Sequence, residues 1–152
     1  MKVLSSSEKK KILEKLKQEF GIENLPFLLI KFGKERVRAF SGSLSRDELQ
    51  KLDRETRIES AGIYLLHDYG DELRLSIDAL HLLKNQITKS IVNLNKEQAD
   101  SWFKGQDVFL DSDISAGFKI LKFAEDFIGC GKATPDGKII KNYMPKERRV
   151  KY

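Results

Sequence analysis

An α+β fold in two units is what the sequence predicts, and three observations predict it. Amphipathic helical stretches with capping signals alternate with short strand-like runs through the first half. The second half is mostly short strands bounded by turns, with one helix near its start. A composition shift at Lys84–Thr88 separates the halves. The first unit, residues 1–86, is expected to be an antiparallel sheet with flanking helices. The second, residues 87–152, is expected to be a closed or nearly closed barrel, because closure protects strand edges.

The elements of the first unit follow in order. Ser5 and Glu8 have capping-box spacing, which satisfies free amides at a helix start. Ile12, Leu13, Leu16 and Phe20 then share one helical face, and Gly21 supplies the stop. Phe27–Phe32 is an apolar strand broken only by Lys31. Gly33-Lys34-Glu35 turns the chain into a half-exposed strand over Arg36–Phe40. Ser45 and Glu48 repeat the capping box and open a short helix through Leu52. Ile58–His67 reads as a third strand, with Gly62 marking a bulge. Leu73, Leu75 and Ile77 alternate with Arg74, Ser76 and Asp78, the clearest amphipathic strand in the chain. Asp78 is placed to cap a short helix through Leu83.

In the second unit, Ile91–Leu94 is a short strand. Asn95 caps a helix with Gln98 at the third position, and Ala99, Trp102 and Phe103 form its apolar face up to Gly105. Strands are expected at Asp107–Leu110, Phe118–Phe123, Phe127–Lys132 and Lys138–Lys141. Thr134-Pro135-Asp136-Gly137 is a hairpin turn, with proline setting the first turn angle and glycine taking the positive one.

Composition narrows the function classes. The chain has 152 residues, 40% of them hydrophobic and 34% charged, enough to build a core without staples. No run approaches the ~18 apolar residues of a membrane-crossing helix. The start, Met1–Ser7, lacks the apolar region of a secretory signal. A single cysteine, Cys130, cannot form an internal disulfide, which fits a reducing compartment, the cytoplasm or nucleus.

Catalytic signatures are sparse. His67, His81 and Cys130 are too few and too scattered for a metal site, so the histidines read as partly buried, hydrogen-bonded imidazoles. Cys130 reads as a small buried residue rather than a nucleophile. Gly129 and Gly131 have neither the third glycine nor the following helix of a dinucleotide cradle. They read as places where a backbone or ligand comes close. Carboxylates such as Asp68, Asp71, Asp111, Asp113, Glu125 and Asp126 lie at turns and strand ends, where they read as solvated. No metal and no cofactor is expected, and no enzymatic activity.

The charge is informative because it is localised. Lys and Arg number 28 against 23 Asp and Glu, a net +5. From Lys132 to Lys151 seven basic residues face two acidic ones, so this stretch alone carries +5 and the rest of the chain is neutral. Lysine and arginine neutralise phosphates, and arginine grips them in a bidentate way. A polyanionic partner is one reading of this stretch; a solvated, untethered end is the other. Tyr143 either stacks on an unpaired base or closes the core. Lys119 and Lys122 extend the patch if their strand packs beside the last one.

Residues Ile91–Val108 resemble the opening strand, helix and glycine turn of a PUA domain. Gly117–Ile120 and Asp126–Ala133 are similar to its later strands. Leu73–Leu80 is similar to the end of the domain that precedes PUA in Nip-type ribosome-biogenesis proteins. The ending, Asn142–Arg149, resembles small archaeal proteins related to the RNA-binding domains of NOP/Sun-type RNA 5-methylcytosine methyltransferases. This resemblance covers nearly the whole chain and implies a pre-PUA domain followed by a PUA-like β pseudo-barrel. It implies a non-enzymatic, cytoplasmic RNA-binding adaptor in rRNA processing, modification or ribosome biogenesis, with rRNA or tRNA as ligand and no membrane contact. An alternative is a targeting subunit that meets an RNA methyltransferase or a ribosome-assembly factor. Charge and resemblance together assign RNA binding to Lys132, Lys138, Lys141, Lys146, Arg148 and Arg149, with Tyr143 beside them.

Overall fold

The computed structural model describes residues 1–151. It is an α+β protein with two five-stranded sheets and four α-helices. The chain separates into two compact units, one ending at Ile87 and the other beginning at Thr88. Among the described residues no helix is long and apolar enough to cross a membrane.

The first unit runs β1 (Lys2–Val3), α1 (Ser6–Phe20), β2 (Leu28–Phe32), β3 (Arg36–Phe40), α2 (Arg46–Thr56), β4 (Ile63–Asp68), β5 (Leu73–Leu75) and α3 (Ile77–Leu82). Its sheet is an antiparallel meander whose strand order follows the sequence. α1 forms as its pattern dictates. Ser5 Oγ accepts the Glu8 N–H, Gly21 closes the helix in the left-handed conformation, and Ile12, Leu16 and Phe20 are buried. Leu29, Val37, Leu66, Leu73 and Leu75 are also buried. On the other side of the sheet Val3 and Ile30 pack with Leu49 of α2.

Three boundaries differ from expectation, each for a local reason. α2 continues past Leu52 to Thr56. Its last turn is held by side chains, with the Thr56 hydroxyl donating to Leu52 O and Asp53 Oδ1 accepting the Ile58 N–H. Such bonds leave no hydrophobic period to read. β4 begins at Ile63 rather than Ile58, because Gly62 turns the chain with φ +79°. A Cβ there would stand 2.2 Å from the Ala39 carbonyl oxygen. The bulge lies not at Gly62 but at Leu65, between the pairs Val37–Leu66 and Arg38–Tyr64. The strand from Leu73 stops at Leu75, since Ser76 rather than Asp78 caps α3, accepting the Ala79 N–H at 3.0 Å. His81, on α3, is exposed rather than partly buried, whereas His67 is partly buried and hydrogen-bonded as expected.

The second unit runs β6 (Ile91–Asn93), α4 (Lys96–Phe103), β7 (Val108–Phe109), β8 (Gly117–Phe123), β9 (Asp126–Ala133) and β10 (Ile139–Lys141), then a 3₁₀ turn at Lys146–Arg148. The sheet order is β6-β8-β9-β10-β7, with β6 parallel to β8 and all other pairs antiparallel. Asn95 and Gln98 complete the reciprocal capping box of α4. The β9–β10 hairpin turns where expected. Gly137, at φ +73°, donates its N–H to Thr134 O at 2.8 Å.

Trp102 organises this core. It is 1% exposed and donates Nε1–H to Ile128 O at 3.2 Å. Gly129 and Gly131 leave the room it needs. A Cβ on Gly129 would stand 2.5 Å from the indole, and one on Gly131 2.5 Å from Ile140 Cγ2 and 2.8 Å from Lys141 O. The close approach expected at these glycines is therefore that of a tryptophan ring and the neighbouring strand. Cys130, between them, is buried.

Candidate nucleic-acid interface

Strand register brings the basic candidates into partial contact. Lys132 on β9 lies opposite Lys141 on β10, and on its other side opposite Phe118 on β8. Cross-strand partners share a face, so these three form one row. Lys132 Nζ sits 5.5 Å from the centroid of the Phe118 ring, a cation–π distance. The Tyr143 ring lies 5.6 Å from the same ring at an interplanar angle of 60°. Phe118 is buried and Tyr143 is exposed. The arrangement is a buried aromatic with a second ring and two lysines around it. Its cations can pair with phosphate, and the outer ring can stack on a base.

The connection from β10 onward is fixed by Asn142. Its Nδ2 donates to Trp102 O and Gln106 O, its Oδ1 accepts the Met144 N–H, and its N–H donates to Asp107 Oδ1. Lys141 Nζ donates to Asp107 Oδ2 at 3.1 Å. Partial burial works against the Asp107 carboxylate, but the Asn142 N–H and the Lys141 ammonium outweigh it and hold its pKa below the usual range. A depressed folded pKa contributes stability at pH above the ordinary carboxylate value, and that contribution is lost as pH falls through the folded value. Asp107→Asn should therefore lower stability at neutral pH by at most about 1 kcal/mol for a pair this exposed. The deficit should shrink toward pH 2–3, as urea titrations at the two pH values would read.

The chain is tethered as far as Val150. The Val150 N–H donates to Phe103 O at 2.7 Å, and Arg149 Nε donates to Met144 O at 3.0 Å. The Arg149 side chain lies so close over Gly105 that a Cβ there would be 2.4 Å from its Cδ. This settles the alternative of an untethered end against it. Lys146 and Arg148 are exposed on the 3₁₀ turn. Lys138 is exposed at the far end of β10, beside the hairpin turn. Lys119 does not extend the patch. Its strand pairs with β9 and β6 rather than the last strand, and its ammonium is buried against Ser115 Oγ at 2.8 Å. Lys122 lies on that same strand, opposite Phe127.

Sequence reasoning missed two features of this unit. Phe109, on edge strand β7 opposite Ile139, is 70% exposed. Its place in the continuous apolar run Val108–Leu110 gave no sign of which way it faces. The Asp107–Asn142 pair joins residues 35 positions apart, a separation no local pattern reports.

Comparison with known proteins bears on this unit. Residues 89–150 match a family model described as the PUA domain of methyltransferase RsmF. The chain is 30% identical over 101 residues to ribosomal RNA small subunit methyltransferase F of two Vibrio cholerae serotype O1 strains, M66-2 and ATCC 39315. It is 26% identical over 100 residues to the protein of the same name from Erwinia tasmaniensis. Each alignment covers 66% of this chain, and the chain spans about a fifth of the length of these relatives.

Proposed function

We propose, from a C-terminal unit that is a PUA-like domain related to the NOP/Sun-type RNA methyltransferases, that this chain binds RNA in rRNA modification or ribosome biogenesis and works as a non-enzymatic adaptor. One observation carries the reading. The segment that matches the domain contains the basic run from Lys132 to Arg149, and Lys132 there sits against an aromatic pair, Phe118 and Tyr143. Lys132, Lys138, Lys141, Lys146, Arg148 and Arg149 contribute charge to the contact, and Tyr143 contributes stacking. Lys141 and Arg149 are also engaged within the unit, so they shape the surface as well as charging it. The ligand is an rRNA or tRNA segment, and the compartment is the cytoplasm.

The second reading is a targeting subunit that meets an RNA methyltransferase or assembly factor. The similarity to ribosomal RNA methyltransferases over 66% of the chain supports it. Fluorescence-anisotropy titration with a structured rRNA fragment and an unstructured oligonucleotide, repeated over several salt concentrations, tests the first. If about six phosphates are neutralised, log affinity against log salt should fall with a slope of about −4 for single strands. Absence of binding at low salt would reject it in favour of protein partnership.

A further inference from the structure

We infer that the sheet of the N-terminal unit carries a second RNA-contacting surface, built from Arg36, Arg38, Tyr64, His67 and Arg74 and suited to unpaired nucleotides. From the proposed function it takes only the class of ligand. Its geometry is independent of the C-terminal unit.

The surface depends on the bulge in β4. Arg36 lies opposite His67, and His67 opposite Arg74; Arg38 lies opposite Tyr64. In a regular strand, residues three apart such as Tyr64 and His67 point to opposite faces. The extra residue at Leu65 puts both on the face that carries Arg36 and Arg38. Side-chain contacts agree with this placement. The Arg36 guanidinium is 6.0 Å from the centroid of the Tyr64 ring. Arg74 Nη2 donates to Tyr64 Oη at 3.4 Å. Arg38 donates from Nε and Nη2 to Gly62 O at 3.1 and 2.8 Å, which fixes its guanidinium plane. His67 stacks on Tyr69 with centroids 4.3 Å apart and donates Nε2–H to Glu35 at 2.7 Å.

This is the part of the face that α2 leaves uncovered. At the β1–β2 side Val3 and Ile30 are sealed by Leu49, whereas Arg36 is exposed and Arg38, Tyr64, His67 and Arg74 are half-buried. Three guanidiniums gather here against two carboxylates, Glu35, which accepts from His67, and Glu72, two residues before Arg74. A site of this charge fits a polyanion. Guanidiniums donate paired N–H bonds to phosphate oxygens, and the Tyr64 ring offers a face to an unpaired base. An acidic peptide would satisfy the charges but leave the aromatic surface without a planar partner.

The test uses the full chain with a short fluorescent oligouridine. Arg36→Ser should weaken binding about five-fold or more and flatten the salt slope by about 0.7. Tyr64→Leu should weaken it by a similar factor with the slope unchanged, and Tyr64→Phe should restore binding. Photocrosslinking of the unaltered chain to a 4-thiouridine oligonucleotide needs no variant, and should place crosslinks on the peptides containing Tyr64 or Arg36. Binding that survives Arg36→Ser and Tyr64→Leu but is lost in a Lys132→Ser, Lys141→Ser variant, with crosslinks confined to the C-terminal unit, would overturn the inference and leave the C-terminal reading intact. The reverse pattern would uphold the inference and overturn that reading. No binding by the unaltered chain would overturn both. Capture of polyglutamate in place of RNA, lost in Arg36→Ser, would assign the surface to an acidic protein instead.

Discussion

Trp102→Ala should cost the C-terminal unit about 3–5 kcal/mol, the range for removing a large buried aromatic. A unit of this size has a stability near the lower end of the 5–15 kcal/mol typical of domains, so little would remain. The indole is 1% exposed, and its loss would leave a cavity above Gly129 and Gly131 together with an unpaired Ile128 carbonyl. Urea unfolding followed by far-UV circular dichroism would read the loss. Gly131→Ala tests the same packing from the other side. The added methyl would meet the Lys141 carbonyl oxygen at 2.8 Å, and a backbone atom cannot swing aside as a side-chain end can. Trp102 is the sole tryptophan, so its emission reports the displacement directly. A red-shifted spectrum is expected for Gly131→Ala. An unchanged spectrum for Gly131→Ala and an unchanged unfolding midpoint for both variants would remove Trp102 from the centre of the core.

The largest expected effect on binding comes from the Lys132–Lys141 pair. Changing both to Ser should flatten the salt slope by about 1.4 and reduce affinity by one to two orders of magnitude at about 50 mM salt. Tyr143→Leu should reduce affinity without altering the slope, because stacking releases no counterions. Arg148→Ala should act through charge. Arg149→Ala should do so while also lowering thermal stability, since its Nε holds Met144 O. A slope that does not respond to the lysine pair would move the RNA contact elsewhere on the chain.

Much of the fold was legible because its signals are local. The Ser5, Ser45 and Asn95 caps, the Gly21 stop and the Thr134–Gly137 turn each act within four residues, and each forms where the sequence places it. The errors arose where a tertiary contact sets a boundary. Gly62 is held against Ala39 O across the sheet, and Leu65 rather than Gly62 takes the bulge. Ser76 wins the α3 cap from Asp78 while its hydroxyl also donates to Tyr64 O at 2.6 Å, a bond to a neighbouring strand. In the candidate interface the positive charge could be read from composition. Its grouping could not: Lys132, Lys141 and Phe118 meet only through strand register, and Lys119 leaves the patch because β9 stands between its strand and β10.

The strand order of the two sheets has a consequence for synthesis. In the first sheet each strand pairs with its predecessor, so contacts form between segments that leave the ribosome in succession. In the second, β6 must wait for β8, and β7 waits for β10, thirty residues downstream. Such pairing cannot start until the later strand exists. The N-terminal unit is thus built to mature before the C-terminal one, while β7, with Phe109 on it, stays without its hydrogen-bonding neighbour until β10 has been made.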